Sequence, residues 1–284
     1  MPQSQSVNNL SYSSSSKRRQ TVFIFDWDDT LLASTHLSAR GCKLDTDFNS
    51  HPSYSDLTSG LTELESSVCN LLDTAVSLGE VHIVTNAELG WVELSAAKFL
   101  PAVVPILTRV KVISARTSYE RVWPDAPMKW KFSAFHERLS HYQPHDSSLE
   151  KHIISLGDSH VEREAVRAVT RSMTNTKCKS VKFSERPTLE QLRRQLDLVT
   201  SCFAYIHQHH GDLDLQLTVT VNQAAQQPQS PSESPSAIQE SEQNSSLQNS
   251  LNYCDEDLSS DSELGADFDN SECNRTYHSI CQTA

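Results

Sequence analysis

Apolar residues in this chain gather into short runs separated by longer stretches of helical spacing, and three of the runs end on a polar residue. Phe23-Ile24-Phe25 leads into Asp26, Ile83-Val84 into Thr85, and Ile153-Ile154-Ser155-Leu156 into Gly157-Asp158. Runs this short and this rich in Val, Ile and Phe predict buried strands over 21–26, 80–84, 110–114, 152–156 and 180–184. From Asp212 to Val221, Leu213, Leu215, Leu217, Val219 and Val221 alternate with polar residues, the period of a half-buried strand at an edge. Leu61, Leu64, Val68, Leu71, Leu72 and Ala75 recur at helical spacing and stop near Gly79, which reads as a helix cap. Leu189, Leu192, Leu196, Val199, Phe203 and Ile206 mark a second long amphipathic helix after Pro187. Strands alternating with helices predict an α/β domain, a Rossmann-like three-layer sandwich with a mainly parallel central sheet.

The same pattern sets the domain at 21–222. Residues 1–20 are Ser/Asn/Gln-rich, and residues 223–284 are Ser/Gln-rich and acidic, so neither segment offers enough apolar surface to offset the entropy of ordering. Both are expected to be disordered. The tail also carries Ser230-Pro231, Ser234-Pro235 and Ser260, which fit phosphorylation sites or the docking of a regulator.

Charge narrows the partners. The net charge of −12 comes mostly from the tail, which holds 11 acids against Arg275. The rest of the chain keeps 25 of the 36 acidic and 23 of the 24 basic residues, a near balance with no case for a large nucleic-acid surface. Seven cysteines at no metal-ligand spacing fit a reducing compartment. The most apolar stretch, Phe99 to Val110, is broken by Pro101 and Pro105, so no membrane span is expected. The expected location is intracellular, cytoplasmic or nuclear.

The polar strand ends carry the chemistry. In an open parallel sheet, residues just past the carboxyl ends of the strands converge on one crevice, so Asp26, Thr85 and Asp158 are candidates for a single site. Asp26-Trp27-Asp28-Asp29-Thr30 places two carboxylates close together after a strand. A carboxylate attacks a phosphomonoester dianion poorly because both are negative, so such a site calls for a hard divalent cation on oxygen ligands, and Mg²⁺ fits best. An EF-hand is excluded, since counting from Asp26 puts Leu31 where the loop needs Gly and Leu37 where it needs Glu.

These motifs resemble those of the haloacid dehalogenase superfamily of phosphohydrolases, whose first signature is Asp-x-Asp-x-Thr/Val after an apolar strand. The resemblance implies Asp26 as nucleophile and metal ligand. It implies Asp28 as acid/base, giving its backbone carbonyl to the metal, and Thr30 as support for the turn. It further implies that Thr85 binds a phosphoryl oxygen, with Asn86 assisting through its backbone N–H. A lysine from Pro127-Met128-Lys129-Trp130-Lys131-Phe132 would neutralise charge on the nucleophile and the phosphoryl group; Lys131 is preferred and Lys129 stays open. Gly157-Asp158-Ser159-His160-Val161-Glu162 would supply the remaining metal ligands, Asp158 directly. Glu162, standing where many relatives carry Asp, would act through a metal-bound water or by holding Lys131.

Cap domains set specificity in that superfamily, and neither usual insertion point has room for one. About 30 residues lie between Asp29 and Leu61 and fewer than 20 between Ile113 and Lys131, against roughly 50 for a small independent domain. A capless Mg²⁺-dependent phosphatase with an open site is therefore expected, acting on a phosphoprotein or another large phosphomonoester. The loop from Leu37 to Asp56 remains a possible small lid, which would favour compact substrates. Two alternatives use the same residues: a weakly catalytic protein that binds a phosphorylated partner, and a phosphotransferase or phosphomutase.

Overall fold

The computed structural model describes residues 19–45, 54–142, 149–218 and 250–253. Ser230, Ser234 and Ser260, most of both terminal segments, and Phe48 and Pro52 of the expected lid lie outside them.

Six parallel strands form the sheet: β1 (Arg19–Phe25), β2 (Glu80–Thr85), β3 (Lys111–Ser114), β4 (Glu150–Gly157), β5 (Thr176–Lys182) and β6 (Leu213–Thr218). Their spatial order is β3-β2-β1-β4-β5-β6. A short strand, β7 (Ser250–Tyr253), adds antiparallel to β6, so these four residues of the expected tail pair with the sheet. The chain builds outward from β1 to one side through β2 and β3, then returns to lay β4 against the other side of β1. That reversal makes β1/β4 the switch point of the sheet, where a crevice opens beyond the strand ends.

Helices cover both faces. Alternation along the strands sends Phe23, Phe25, Ile83, Ile154 and Leu156 to one side, where they join a buried cluster with Leu64, Val68, Leu192, Leu196 and Phe203. The last five belong to α2 (Tyr54–Leu78) and α8 (Leu189–Gln208), which pack on each other. The intervening strand residues Val22, Ile24, Val84 and Ile153 are equally buried but outside that cluster. Buried Phe135, Leu139, Val166 and Val169 come from α6 (Pro127–Ser140) and α7 (His160–Thr170), which pack together and against the sheet. The smaller helices are α1 (Ser34–Ala39), α3 (Trp91–Phe99), α4 (Val104–Leu107) and α5 (Ala115–Tyr119). No separate cap domain is inserted among the described residues.

Two details depart from the sequence reading. β5 begins at Thr176, ahead of the expected 180, because a lysine serves as a core residue there: Lys179 is buried and donates to the carbonyls of Ile206 (2.6 Å) and His207 (3.0 Å). A cation on the last carbonyls of α8 suits the negative end of the helix dipole. Gly79 follows α2 as expected, but its φ is not positive. A Cβ there would lie 2.4 Å from the carbonyl oxygen of Thr21, so glycine is needed for the approach of chain to chain rather than for a left-handed cap.

Two buried histidines give this core a pH dependence. Burial pushes His82 and His152 down from 6.5 to about 4; Lys179 and Arg19 add to the effect at His152, and Glu80 opposes it at His82. The unfolded chain therefore binds protons below 6.5 that the folded chain does not, and stability present above 6.5 is lost as pH falls toward 4. The slope is at most about 1.4 kcal/mol per pH unit for each histidine. Urea titrations should show the wild-type midpoint falling between pH 7 and 5 relative to a His82→Gln/His152→Gln variant; parallel curves would refute the assignment.

Candidate active site

The site grows from the end of β1. Asp26 leaves the strand with its N–H on the carbonyl of Leu156 (2.9 Å), so the β1–β4 ladder runs one residue past Phe25 and aims Asp26 at the end of β4. The chain then turns tightly, with the amides of Thr30, Leu31 and Leu32 all pointing at the carbonyl of Trp27. Asp29 adopts a positive φ of 54°, a conformation that Asp tolerates better than most residues. Its carboxylate accepts from the amide of Thr35 (3.0 Å), tying the turn to the first turn of α1. Trp27 anchors the loop from below: it is fully buried and its indole N–H donates to the Ser95 hydroxyl at 2.9 Å.

Asp158 arrives from the end of β4, and Glu162 from the first turn of α7. Glu162 is held by a capping box: Ser159 caps α7, and its amide (3.2 Å) and hydroxyl both donate to Glu162 Oε2. The opposite oxygen, Oε1, accepts from Lys131 Nζ at 2.7 Å. Lys131 donates a second bond to Asp26 Oδ1 at 2.6 Å and is 1% exposed. One buried ammonium thus clamps the ends of β1 and α7. Lys129 points elsewhere, its ammonium 4.4 Å from the centroid of the Trp123 ring. Residues two apart on a helix face different ways, which is why only one lysine of the pair reaches the crevice.

Asp26, Asp158 and Glu162 each present an oxygen within 4.8 Å of the others, and they form a possible cation-holding group among the described residues. Thr30 is fully buried, its hydroxyl 3.5 Å from Asp158 Oδ1, so it faces the acidic group as well as supporting the turn. Asp28 has other bonding partners, though its charge adds to the rise at Asp26. Its Oδ2 accepts from the Thr85 hydroxyl (3.2 Å) and its Oδ1 from the Trp91 indole N–H (2.9 Å). The Thr85 hydroxyl in turn accepts from the amide of Ala87 at 2.9 Å. Asn86 spends its side-chain N–H₂ on the carbonyl of Pro127 (3.2 Å), linking the end of β2 to the start of α6.

The electrostatics show too little positive charge. Burial pushes Asp26 up from 3.8 to about 8, with Lys131 opposing and Glu162 adding to the rise. Burial also raises Asp158 to about 7, aided by the charges of Glu162 and Asp29. Glu162 moves the other way: burial would raise it, but Lys131 and Ser159 hold it below the usual carboxylate range. Lys131 is desolvated too, yet its two carboxylates hold its pKa above the usual lysine value. A single buried ammonium cannot neutralise three clustered carboxylates, and a hard divalent cation on their oxygens would. The donor set therefore fits a hard divalent cation, with Asp26 and Asp158 each offering an oxygen and Glu162 already committed to Lys131 and Ser159.

Sequence reasoning thus placed Asp26, Thr85, Asp158, Glu162 and Lys131 at neighbouring strand and helix ends, and the structure brings them together with Asp28. It missed Ser159 and Trp91. Ser159-His160-Val161-Glu162 is a legible Ser-x-x-Glu capping box that would have located the first. Trp91 lies far from Asp28 in the chain and had no signal.

Gly157 is the close-packed point of the assembly. A Cβ there would sit 2.6 Å from Glu162 Cγ and 2.9 Å from its Cβ. Gly157→Ala should therefore displace Glu162, loosen Lys131 and destabilise the protein by about 1–3 kcal/mol, measurable as a lowered urea midpoint. An unchanged midpoint would show that α7 yields at no cost.

Comparison with protein-family models finds no match, and neither curated proteins nor solved structures match the chain.

Proposed function

We propose that the protein is an Mg²⁺-dependent phosphomonoester hydrolase of the haloacid dehalogenase type, working through an aspartyl-phosphate on Asp26. The observation that carries this reading is the different settings of two carboxylates two residues apart. Asp26 lies against Lys131 in the acidic group, while Asp28 is held by Thr85 and Trp91.

Asp26 supplies the nucleophilic oxygen: its bond to phosphorus forms as the bond from phosphorus to the leaving oxygen breaks. Asp28 gives that oxygen its proton, and the alcohol departs. Asp28 then takes a proton from water, and the resulting hydroxide attacks phosphorus, releasing inorganic phosphate and free Asp26. Proton transfer of this kind contributes roughly 10²- to 10⁴-fold. Lys131 neutralises charge on Asp26 and the phosphoryl oxygens, and Glu162 fixes its position. Mg²⁺ bound by Asp26 and Asp158, with the backbone carbonyl of Asp28 that the resemblance implies, would offset the repulsion between carboxylate and dianion.

The test is phosphate release from a panel of phosphomonoesters with and without Mg²⁺, for wild type and Asp28→Asn. Release that needs Mg²⁺ and falls about 10²-fold or more in the variant supports the reading. No metal-dependent release from any compound would leave a protein that binds phosphorylated partners without turning them over.

A further inference from the structure

Beside Asp28 lies a cleft of about 730 Å³ that the catalytic scheme does not use. Its walls include Asp28, Leu32, Leu37, Cys42, Trp91 and Phe99, with the hydroxyl-bearing side of α1 along one rim. The volume is that of a pocket for a compact organic molecule rather than a crevice for a single phosphate. Two of its walls belong to the proton-transfer residue: Asp28 itself, and Trp91, whose indole N–H holds the Asp28 carboxylate at 2.9 Å. One wall is tied to α3. Lys98 of α3 donates to the carbonyl of Leu44, fastening the segment that carries Cys42, Lys43 and Leu44 across the cleft.

We infer that this cleft holds the leaving group of the substrate, and that the substrate is a compact phosphomonoester whose leaving group carries an aromatic ring. The inference rests on the hydrolase reading above. In that scheme the leaving oxygen must lie within hydrogen-bonding reach of Asp28, so whatever is attached to it extends into the space Asp28 borders. That space is mostly apolar and includes the rings of Trp91 and Phe99. A polar alcohol such as a sugar would find partners in Ser34, Thr35, Ser38 and Lys43 but would set its other hydroxyls against Leu32, Leu37 and Cys42. A flat aromatic group buries its faces there and stacks against rings. The fastened Leu44 segment makes the pocket local to the site, which suits a small molecule better than the phosphoprotein expected from an open crevice.

The experiment uses benzyl and ethyl phosphate, which leave as alcohols of similar basicity, so that a difference reports the organic group rather than its chemistry. It pairs them with benzyl- and ethylphosphonate, which bind without being hydrolysed. Wild type with Mg²⁺ should favour the benzyl compound by about tenfold or more both in kcat/KM and in affinity by calorimetry. Ser38→Trp and Ala39→Trp, at exposed rim positions of α1, should fill the cleft and shrink that ratio both in kcat/KM and in phosphonate affinity. Equal affinity for the two phosphonates in wild type, or a ratio unchanged in both variants, overturns the inference. Faster turnover of a phosphotyrosyl peptide than of free phosphotyrosine, which has the same phenol leaving group, overturns the compact substrate. Selective binding of benzylphosphonate without hydrolysis of any phosphate ester upholds the cleft and sinks the hydrolase reading, so the two failures are told apart.

Discussion

Asp26→Asn is expected to lower phosphate release by about 10⁴-fold or more and to leave the protein at least as resistant to urea as wild type. Both effects follow from one position. In the proposed scheme the nucleophile must be an ionised carboxylate, but at the end of β1 Asp26 is desolvated, and in the absence of a divalent cation burial holds it up to about 8. An amide of the same shape avoids that desolvation cost and still accepts a hydrogen bond from Lys131, which keeps Glu162 as its ionic partner. Mg²⁺ sharpens the contrast. A cation that binds only the folded state stabilises it by about 2.7 kcal/mol at a hundredfold excess over its Kd, so Mg²⁺ should raise the wild-type melting temperature and raise that of Asp26→Asn far less. Equal shifts would mean that Asp26 is not a ligand. A variant markedly less stable than wild type would mean that the carboxylate is structural.

Lys131→Met carries the largest expected loss of stability. Its ammonium is 2.6 Å from Asp26 and 2.7 Å from Glu162 and is almost wholly buried. Methionine preserves much of the volume but strands two buried carboxylates, and breaking a buried ion pair from one side costs about 3–5 kcal/mol. Guanidinium unfolding of the metal-free protein above pH 8, where Asp26 is ionised, measures it. Adding Asp26→Asn removes one of the stranded charges, so the double variant should recover about 1–3 kcal/mol relative to additivity. Additive losses would show that Lys131 and Asp26 do not interact energetically, whatever their distance. The same variant should lose phosphate release, since nothing else cationic among the described residues bonds to Asp26.

The Lys131 case shows how far the sequence carries. Pro127 through Phe132 marks a helix start with two lysines near apolar residues, and local pattern treats them alike. Two helix positions turn one toward the sheet and the other onto the ring of Trp123, a distinction that appears only once α6 is docked on its neighbours. β5 gave the opposite lesson. Lysines at 177 and 179 look solvated, so the predicted strand began too late; the carbonyls that make Lys179 a core residue belong to α8.

Local patterning alone determined the strands, the long helices and the polar residues that follow each apolar run, because side-chain periodicity and the depletion of polar groups from a buried sheet are properties of neighbouring residues. That was enough to name Asp26, Asp28, Thr85 and Asp158 as candidates. Tertiary structure decided which strand lies beside which. By returning β4 to the flank of β1, it brought Asp26 and Asp158 to one crevice and allowed a single ammonium to serve two carboxylates. It also decided that Asp28 turns toward Trp91 and an apolar cleft. Such contacts join residues distant in the chain, and their energies depend on burial and partners that no local stretch of sequence contains.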